Sequence, residues 1–437
     1  VIELNIEIKE TKLRIENNYN FNRPILVYLV ERDHQFLTTF VILDFVKGII
    51  KYIKTYSEEN IKKIEALGDI QFIHNPSHSS LCFDPDEGFF NFLSVIPSKN
   101  QNTFRYIDLK QKKMKVYCGE DLGFKNGRVS ESSTTTDLNY FVLSLDKQEG
   151  DKTVYHIKCS KDMRDISYFS KTEDIKYPPH TVHYHDNKIF TTEFNDRKFT
   201  TRDGVQLKDD KELEDYFYNK YKGPSDKVMD SLFSNMVGIN VGHCELRMID
   251  ENSSKSFKLD TMVSHIEHDR ENDIFYICSN NFVTLREYSK IIYLGPVSIY
   301  KFRYDGDLHL ESKFQDETAY RFTAHKFRKP HVCGFGYPNR LFVINSDTMK
   351  VKNKFDIWKD ILSGHDNIKD FLNNDISSNN DPHKISTFEL SEDSRYLFFI
   401  DQVNFNIIDI TTGEIIDKQA VDIDHNFIQK TNHSETL

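Results

Sequence analysis

HKISTFELSEDSRYLFFIDQVNFNIIDITTGEIIDKQAV, residues 383–421, contains four short strand-like runs. HKISTFEL, YLFFIDQ, FNIIDI and EIIDKQAV are rich in β-branched and aromatic residues. They are separated by SEDS and by an Asp-Ile-Thr-Thr-Gly turn. Strand, turn, strand in this order is the pattern of an antiparallel four-stranded unit. The unit recurs upstream. TAHKF, HVCGFGY, RLFVINSDT and KVKNKFDI form one copy, and SHIEHD, DIFYICS, SIYKFRYDG and LHLESKF another. HSSLCF, FFNFLSV, TFRYIDL and MKVYCG form a further copy around residues 78–119.

First strands fall near His78, Ser130, His180, His265, His325 and His383, spaced 50 to 85 residues apart. Four-stranded units repeating every 40–50 residues or so mark a β-propeller. An earlier unit shows at PILVYLVE, TTFVILDF and GIIKYIKTY, which brings the expectation to seven blades. The first strand of that unit is not evident, and the C-terminal HNFIQKT is a candidate for it, closing the ring. The predicted architecture is therefore all-β: a single seven-bladed propeller over residues 1–437 with helical insertions on one face.

Three segments break the strand rhythm. SEENIKKIEALG reads as a helix capped by Ser57, DKELEDYFYNKY and SDKVMDSLFSNM as two more, and IWKDILSGHDNIKDFLNN as a further pair. In a propeller all three would fall on the face where the first strands begin. The insertion at 195–240, between strands two and three of blade four, is then a lid with aromatic residues at helical spacing.

Composition narrows the partners. Lys and Arg total 57 against 68 Asp and Glu, a net charge of −11, so there is no basic footprint for a nucleic-acid backbone. No apolar run is long enough for a transmembrane helix. Position 1 is Val with no basic-then-apolar leader after it, so a leader is either removed or was never there. Six scattered cysteines without a CxxC pair suit buried, reduced thiols and a cytoplasmic location.

The histidines carry the chemical expectation. His78, His180, His265, His325 and His383 each open an inferred first strand, and His425 does so if the C-terminus closes the ring. Imidazoles from several blades meeting on the axis would hold a divalent transition metal. Glu131 takes the equivalent place in blade three, as ligand or as hydrogen-bond acceptor to a ligand. Glu193, in an otherwise apolar strand, is a candidate general base. His183 and His268 each follow a first-strand histidine by three positions and so face the other side of a strand.

TAHKFRKPHVCGFGYPNRLF (323–342) resembles the segment around one iron ligand of the carotenoid-cleavage oxygenases. That resemblance implies ferrous iron held on a propeller axis by four histidines, here His180, His265, His325 and His383, with His78 in reserve. Oligogalacturonate lyases are similar only in holding a metal with propeller histidines. The main expectation is a metal-dependent oxygenase or lyase, with Fe(II) first and Mn or Zn as alternatives, acting on a small-molecule substrate. The competing expectation is a non-enzymatic propeller of the WD-like kind that binds a protein or peptide on its decorated face. Its histidines would then point into the seams between blades. A metal-free lyase or isomerase with a His–Glu pair is the third.

Overall fold

A computed structural model describes residues 2–15, 17–29, 39–55, 57–66, 71–72, 80–93, 95–96, 103–118, 127–134, 141–149, 152–160, 169–173, 181–194, 199–200, 205–208, 211–212, 215–216, 244–250, 252–259, 263–285, 290–316, 321–337, 340–356, 385–401 and 404–420. Among these residues the chain forms antiparallel sheets, six of four strands and one of five, with two further two-stranded ribbons. Sheet 1 holds Glu7–Lys12, Ile25–Leu29, Thr39–Asp44 and Ile49–Lys54. Sheet 2 holds Ile2–Asn5, Ser80–Asp84, Gly88–Leu93, Thr103–Asp108 and Lys113–Cys118. Sheet 3 runs from Gly127–Thr134 through Phe141–Glu149 and Lys152–Ser160 to Phe169–Glu173. Sheet 4 is Thr181–His185, Lys188–Phe194, Cys244–Ile249 and Ser254–Leu259. Sheet 5 is Val263–Asp269, Ile274–Leu285, Lys290–Tyr304 and Leu308–Asp316. Sheet 6 is Arg321–Arg328, His331–Tyr337, Arg340–Asn345 and Val351–Asp356. Sheet 7 is Ile385–Leu390, Tyr396–Asp401, Asn404–Asp409 and Ile415–Ala420.

Each expected first strand near Ser130, His265 and His325 contains that residue, and those near His78, His180 and His383 begin just after it. The turns follow from side-chain chemistry. Asp44, Asp108, Asn345 and Asp409 each end a strand, Asp250 follows one, and all five accept turn amides on Oδ1. A short carboxylate or amide that satisfies two or three turn N–H groups makes the reversal cheap without a sheet partner. The Asp-Ile-Thr-Thr-Gly turn of sheet 7 is one of these, with Gly413 at φ +77°.

The sheets follow one another in space as in sequence. First strands of sheets 2 and 3, 3 and 4, 4 and 5, 5 and 6, and 6 and 7 lie side by side. Sheet 7 in turn packs on sheet 1: Phe398, Phe405 and Ile407 share a core with Val41, Leu43 and Tyr52. Sheet 1 packs on sheet 2 through Phe40, Ile42 and Ile53 against Phe89, Ile107 and Met114. The sequence of sheets thus returns on itself, a propeller-like arrangement in which apolar faces are buried between neighbours.

Sheet 1 departs from the others. Asn20 O accepts from Glu392 N in the first hairpin of sheet 7, and Lys47 Nζ pairs with Asp86 in the first hairpin of sheet 2. The 45–48 turn therefore lies at the first-hairpin end of its neighbours. Strands 25–29, 39–44 and 49–54 accordingly match strands two, three and four of a unit, and Glu7–Lys12 is added outside them. The N-terminal segment also lays Ile2–Asn5 on the outer edge of sheet 2, so one strap covers two neighbouring edges. Covered edges are protected from pairing with other chains. The C-terminal HNFIQKT, the candidate closing strand, lies outside the described residues.

The helix expected after Tyr56 is Glu58–Glu65, and Ser57 Oγ accepts from Asn60 N at 3.1 Å as its cap. Of the 195–240 insertion only a two-stranded ribbon, Phe199–Thr200 with Gln206–Leu207, and residues near 211–216 are described. The helical segment after Asp356 lies outside the described residues. In sheet 5 the second and third strands continue pairing from Asn281–Leu294 to Leu285–Lys290, beyond the end of their neighbours. This hairpin extension stands on the face expected to be decorated. No helix among the described residues is long and apolar enough to cross a membrane. Cys278 and Cys333 are buried, and burial pushes the Cys333 thiol well above its ordinary range, which makes it inert.

Candidate functional site: a histidine cluster between sheets 4 and 5

Where the first hairpins of sheets 4 and 5 meet, three imidazoles gather around one phenyl ring. His268 stacks on Phe275 at 4.1 Å and 7°. His183 stands edge-on to Phe275 at 5.6 Å, and His185 at 6.1 Å. Phe190 closes the other side at 4.7 Å. Both His183 and His268 are buried. They meet across the seam, His183 Nε2 lying 3.3 Å from His268 Nδ1. The two second-member histidines singled out by their common offset are thus partners of each other, and 85 residues separate them in the chain.

The hairpins position the rest. His185 and Lys188 pair across a two-residue turn in which Asp186 and Asn187 have φ of 49° and 56°. This is the geometry of a tight hairpin turn, for which Asn and Asp are suited. Asp273, at φ 51° in the opposite hairpin, lies 3.1 Å from His185 Nε2 and 3.8 Å from His268 Nε2. Arg270 Nη1 stands 3.3 Å from His185 Nδ1. A guanidinium only donates, so Nδ1 accepts and the Nε2–H of neutral His185 donates to Asp273. Burial, followed by the charge of Arg270, holds the His185 imidazole below its ordinary pKa. Burial, then the neighbouring His183 and His185, depresses His268 to about 2. Both rings are therefore neutral, each with a lone pair for a proton or a metal.

A polar rim adjoins them. Tyr304 Oη donates to Asp186 Oδ2 at 2.6 Å, and Lys188 Nζ donates to Tyr304 Oη. The Tyr304 ring lies 5.4 Å from His185. Burial raises the Tyr304 pKa, so its hydroxyl stays protonated. His185 and Asp273 were not among the predicted site residues. Their only sequence signal was placement at turns, HYHDN and RENDI, and nothing in the spacing ties the two turns together.

A further buried histidine among the described residues also bonds into a seam. His331 in sheet 6 has Nδ1 3.1 Å from Ser394 Oγ in sheet 7, and Lys352 Nζ is 3.2 Å from its Nε2. Closer to the axis, Lys326 Nζ of sheet 6 lies 3.6 Å from Glu267 of sheet 5 and 3.6 Å from Glu389 of sheet 7. Three consecutive first strands are thereby joined by one cation.

Two of the predicted ligands stand in described first strands. His265 lies in the first strand of sheet 5, paired with Cys278, beside a bulge at Ser264. His325 lies in the first strand of sheet 6, paired with Gly334. Glu131 follows a bulge in the first strand of sheet 3, and Glu193 pairs with Glu245 in sheet 4. Only the backbones of these four are described, and His78, His180, His383 and His425 lie outside the described residues. Bulges recur in first strands at Cys82, Ser130, Ser264, Thr323 and Thr387, a small or hydroxyl residue each time. One extra residue there adds twist to the inner strand.

No family model matches the chain, and no curated protein matches it. The resemblance of 323–342 to carotenoid-cleavage oxygenases gains nothing from either comparison; the segment forms the first hairpin of sheet 6 and the start of its third strand. Among solved structures the chain is similar to one titled "Crystal Structure of Mitotic Checkpoint Complex", at TM-score 0.42 and 8% identity, covering 80% of this chain and 82% of that one.

Proposed function

We propose that the chain is a seven-bladed β-propeller that binds a protein or peptide partner and carries out no chemistry of its own on the axis. The observation that supports this reading is the long hairpin of sheet 5, which pairs from Asn281–Leu294 to Leu285–Lys290 beyond the end of its neighbours; the described buried histidines, none of them an expected axis ligand, bond into seams between sheets. His183 and His268 meet in one seam and His331 bonds into another. The partner would be gripped on the end where first strands begin, where the hairpin extension of sheet 5 and the insertion at 195–240 stand. Long connections on one end of a repeat fold supply contact area without disturbing the sheets beneath.

Crosslinking mass spectrometry on the tagged full-length chain in its own cells tests this. The reading expects one partner at near-stoichiometric yield, crosslinked within 195–240 or 281–294 and lost when 195–240 is replaced by a short linker. It is wrong if the native protein instead carries one equivalent of iron, manganese or zinc that disappears in both His265→Ala and His325→Ala.

A further inference from the structure

We propose that His185, His268 and Asp273 form a zinc site that ties the first hairpins of sheets 4 and 5 together, with Arg270 as its competitor. This site is independent of the partner-binding reading and lies at the opposite end of the strands.

One ligand atom from each of the three residues, a ring nitrogen from each histidine and a carboxylate oxygen from Asp273, lies within 4.8 Å of the other two. Two of the separations are 3.1 and 3.8 Å. Tetrahedral zinc with bonds of about 2.0–2.2 Å sets its ligand atoms roughly 3.3–3.5 Å apart, so small side-chain shifts close the site. Two nitrogens and one oxygen are a donor set that zinc takes, with its fourth position left for water. The ligand field also suits iron, but the affinity order of divalent ions places zinc above iron on the same donors.

The surroundings hold the ligands in place. The stack on Phe275 fixes the plane of His268. His268 can donate Nδ1–H to His183 Nε2, which leaves its Nε2 lone pair facing Asp273. A ligand imidazole whose other nitrogen donates to a buried acceptor is the usual outer-shell arrangement of histidine–metal sites. His185 must change tautomer. Zinc on Nε2 requires the proton on Nδ1, where the Arg270 guanidinium now points. The proton moves from Nε2 to Nδ1 with none lost, and Arg270 turns toward Tyr184 O, already 3.5 Å from its Nη2. Arg270 and zinc are therefore alternative ways of holding the same hairpins: a hydrogen bond with a positive charge beside it, or a metal.

The test is a zinc titration of the metal-stripped full chain against a chelator of known affinity. Co(II) absorption serves as a second readout of tetrahedral ligation. Asp273 is half-exposed, so Asp273→Asn leaves the packing intact; His185→Gln is the second ligand variant. One equivalent should bind the wild type, with affinity at least tenfold weaker in each ligand variant and severalfold tighter in Arg270→Gln. Zinc should also raise the melting temperature of the wild type and not of Asp273→Asn. Failure of the wild type to bind, or binding unchanged in both ligand variants, overturns the site. Unchanged affinity in Arg270→Gln overturns the competition.

Discussion

Replacing Phe275 with Ala removes the ring on which the seam between sheets 4 and 5 is built. The side chain is buried and touches Phe190, His183, His185, His268 and Tyr304. A buried phenylalanine hides about 150–250 Å², worth roughly 4–6 kcal/mol at about 25 cal/mol per Å². Large-to-small changes at such positions cost about 3–5 kcal/mol, because the cavity collapses only in part. Phe275→Leu keeps most of the volume and loses the stack on His268, a change of about 1–2 kcal/mol. Urea unfolding followed by circular dichroism gives both differences from the shift in midpoint at constant slope. Hydrogen exchange localises the effect: amides of Val263–Leu285 should open first in the Ala variant. Two variants both within about 1 kcal/mol of wild type would refute the packing argument, since no ring so placed is dispensable.

His331 titrates against folding. Burial, then Lys352, holds its pKa below the ordinary 6.5, so the unfolded chain takes up the proton first as the pH falls. Its contribution is complete above about pH 6.5 and is lost as the pH drops; His331→Gln should flatten the acid side of a stability–pH curve by up to one proton. Lys326→Met leaves Glu267 and Glu389 without their shared cation and should cost about 1–3 kcal/mol by urea unfolding, with Glu267→Gln in the same chain recovering part of it. Gly413→Ala places a Cβ against the Phe355 ring at a backbone φ of +77°, and should lower the melting temperature by several degrees where Gly48→Ala, at φ +65° with open space around its Cβ, does so less. Ser57→Ala removes the cap of the Glu58–Glu65 helix and should cost about 1 kcal/mol in the same assay.

Strand positions were readable because the sequence punctuates them. Asp44, Asp108, Asp250, Asn345 and Asp409 stand at turns whose amides they accept, and apolar residues fill the runs between. The first strands near Ser130, His265 and His325 follow from that rhythm alone. Ile2, Leu4, Ile6 and Ile8 alternate in the same way, yet a strand that joins a sheet formed by residues about a hundred positions later has no local mark of its destination. The sheet 5 extension, Asn281–Leu294, has strand-forming residues on both sides of its turn, but the repeat predicts strands only as long as their neighbours. The histidine cluster shows the limit most clearly. Spacing suggested that His183 and His268 were equivalent, which they are, but not that they touch. Their contact with Asp273 and His185 depends on two hairpins from different sheets, and periodicity within one strand carries no information about that.

The account stands or falls on where the imidazoles go. A crystal structure of the native protein, with anomalous maps recorded at the iron, manganese and zinc edges, settles that in one experiment. The account predicts seven sheets around one axis, with no anomalous peak at the end where the first strands begin and with His180, His265, His325 and His383 apart from one another. A peak at that end held by three or more of those four histidines would contradict it and restore a metal enzyme.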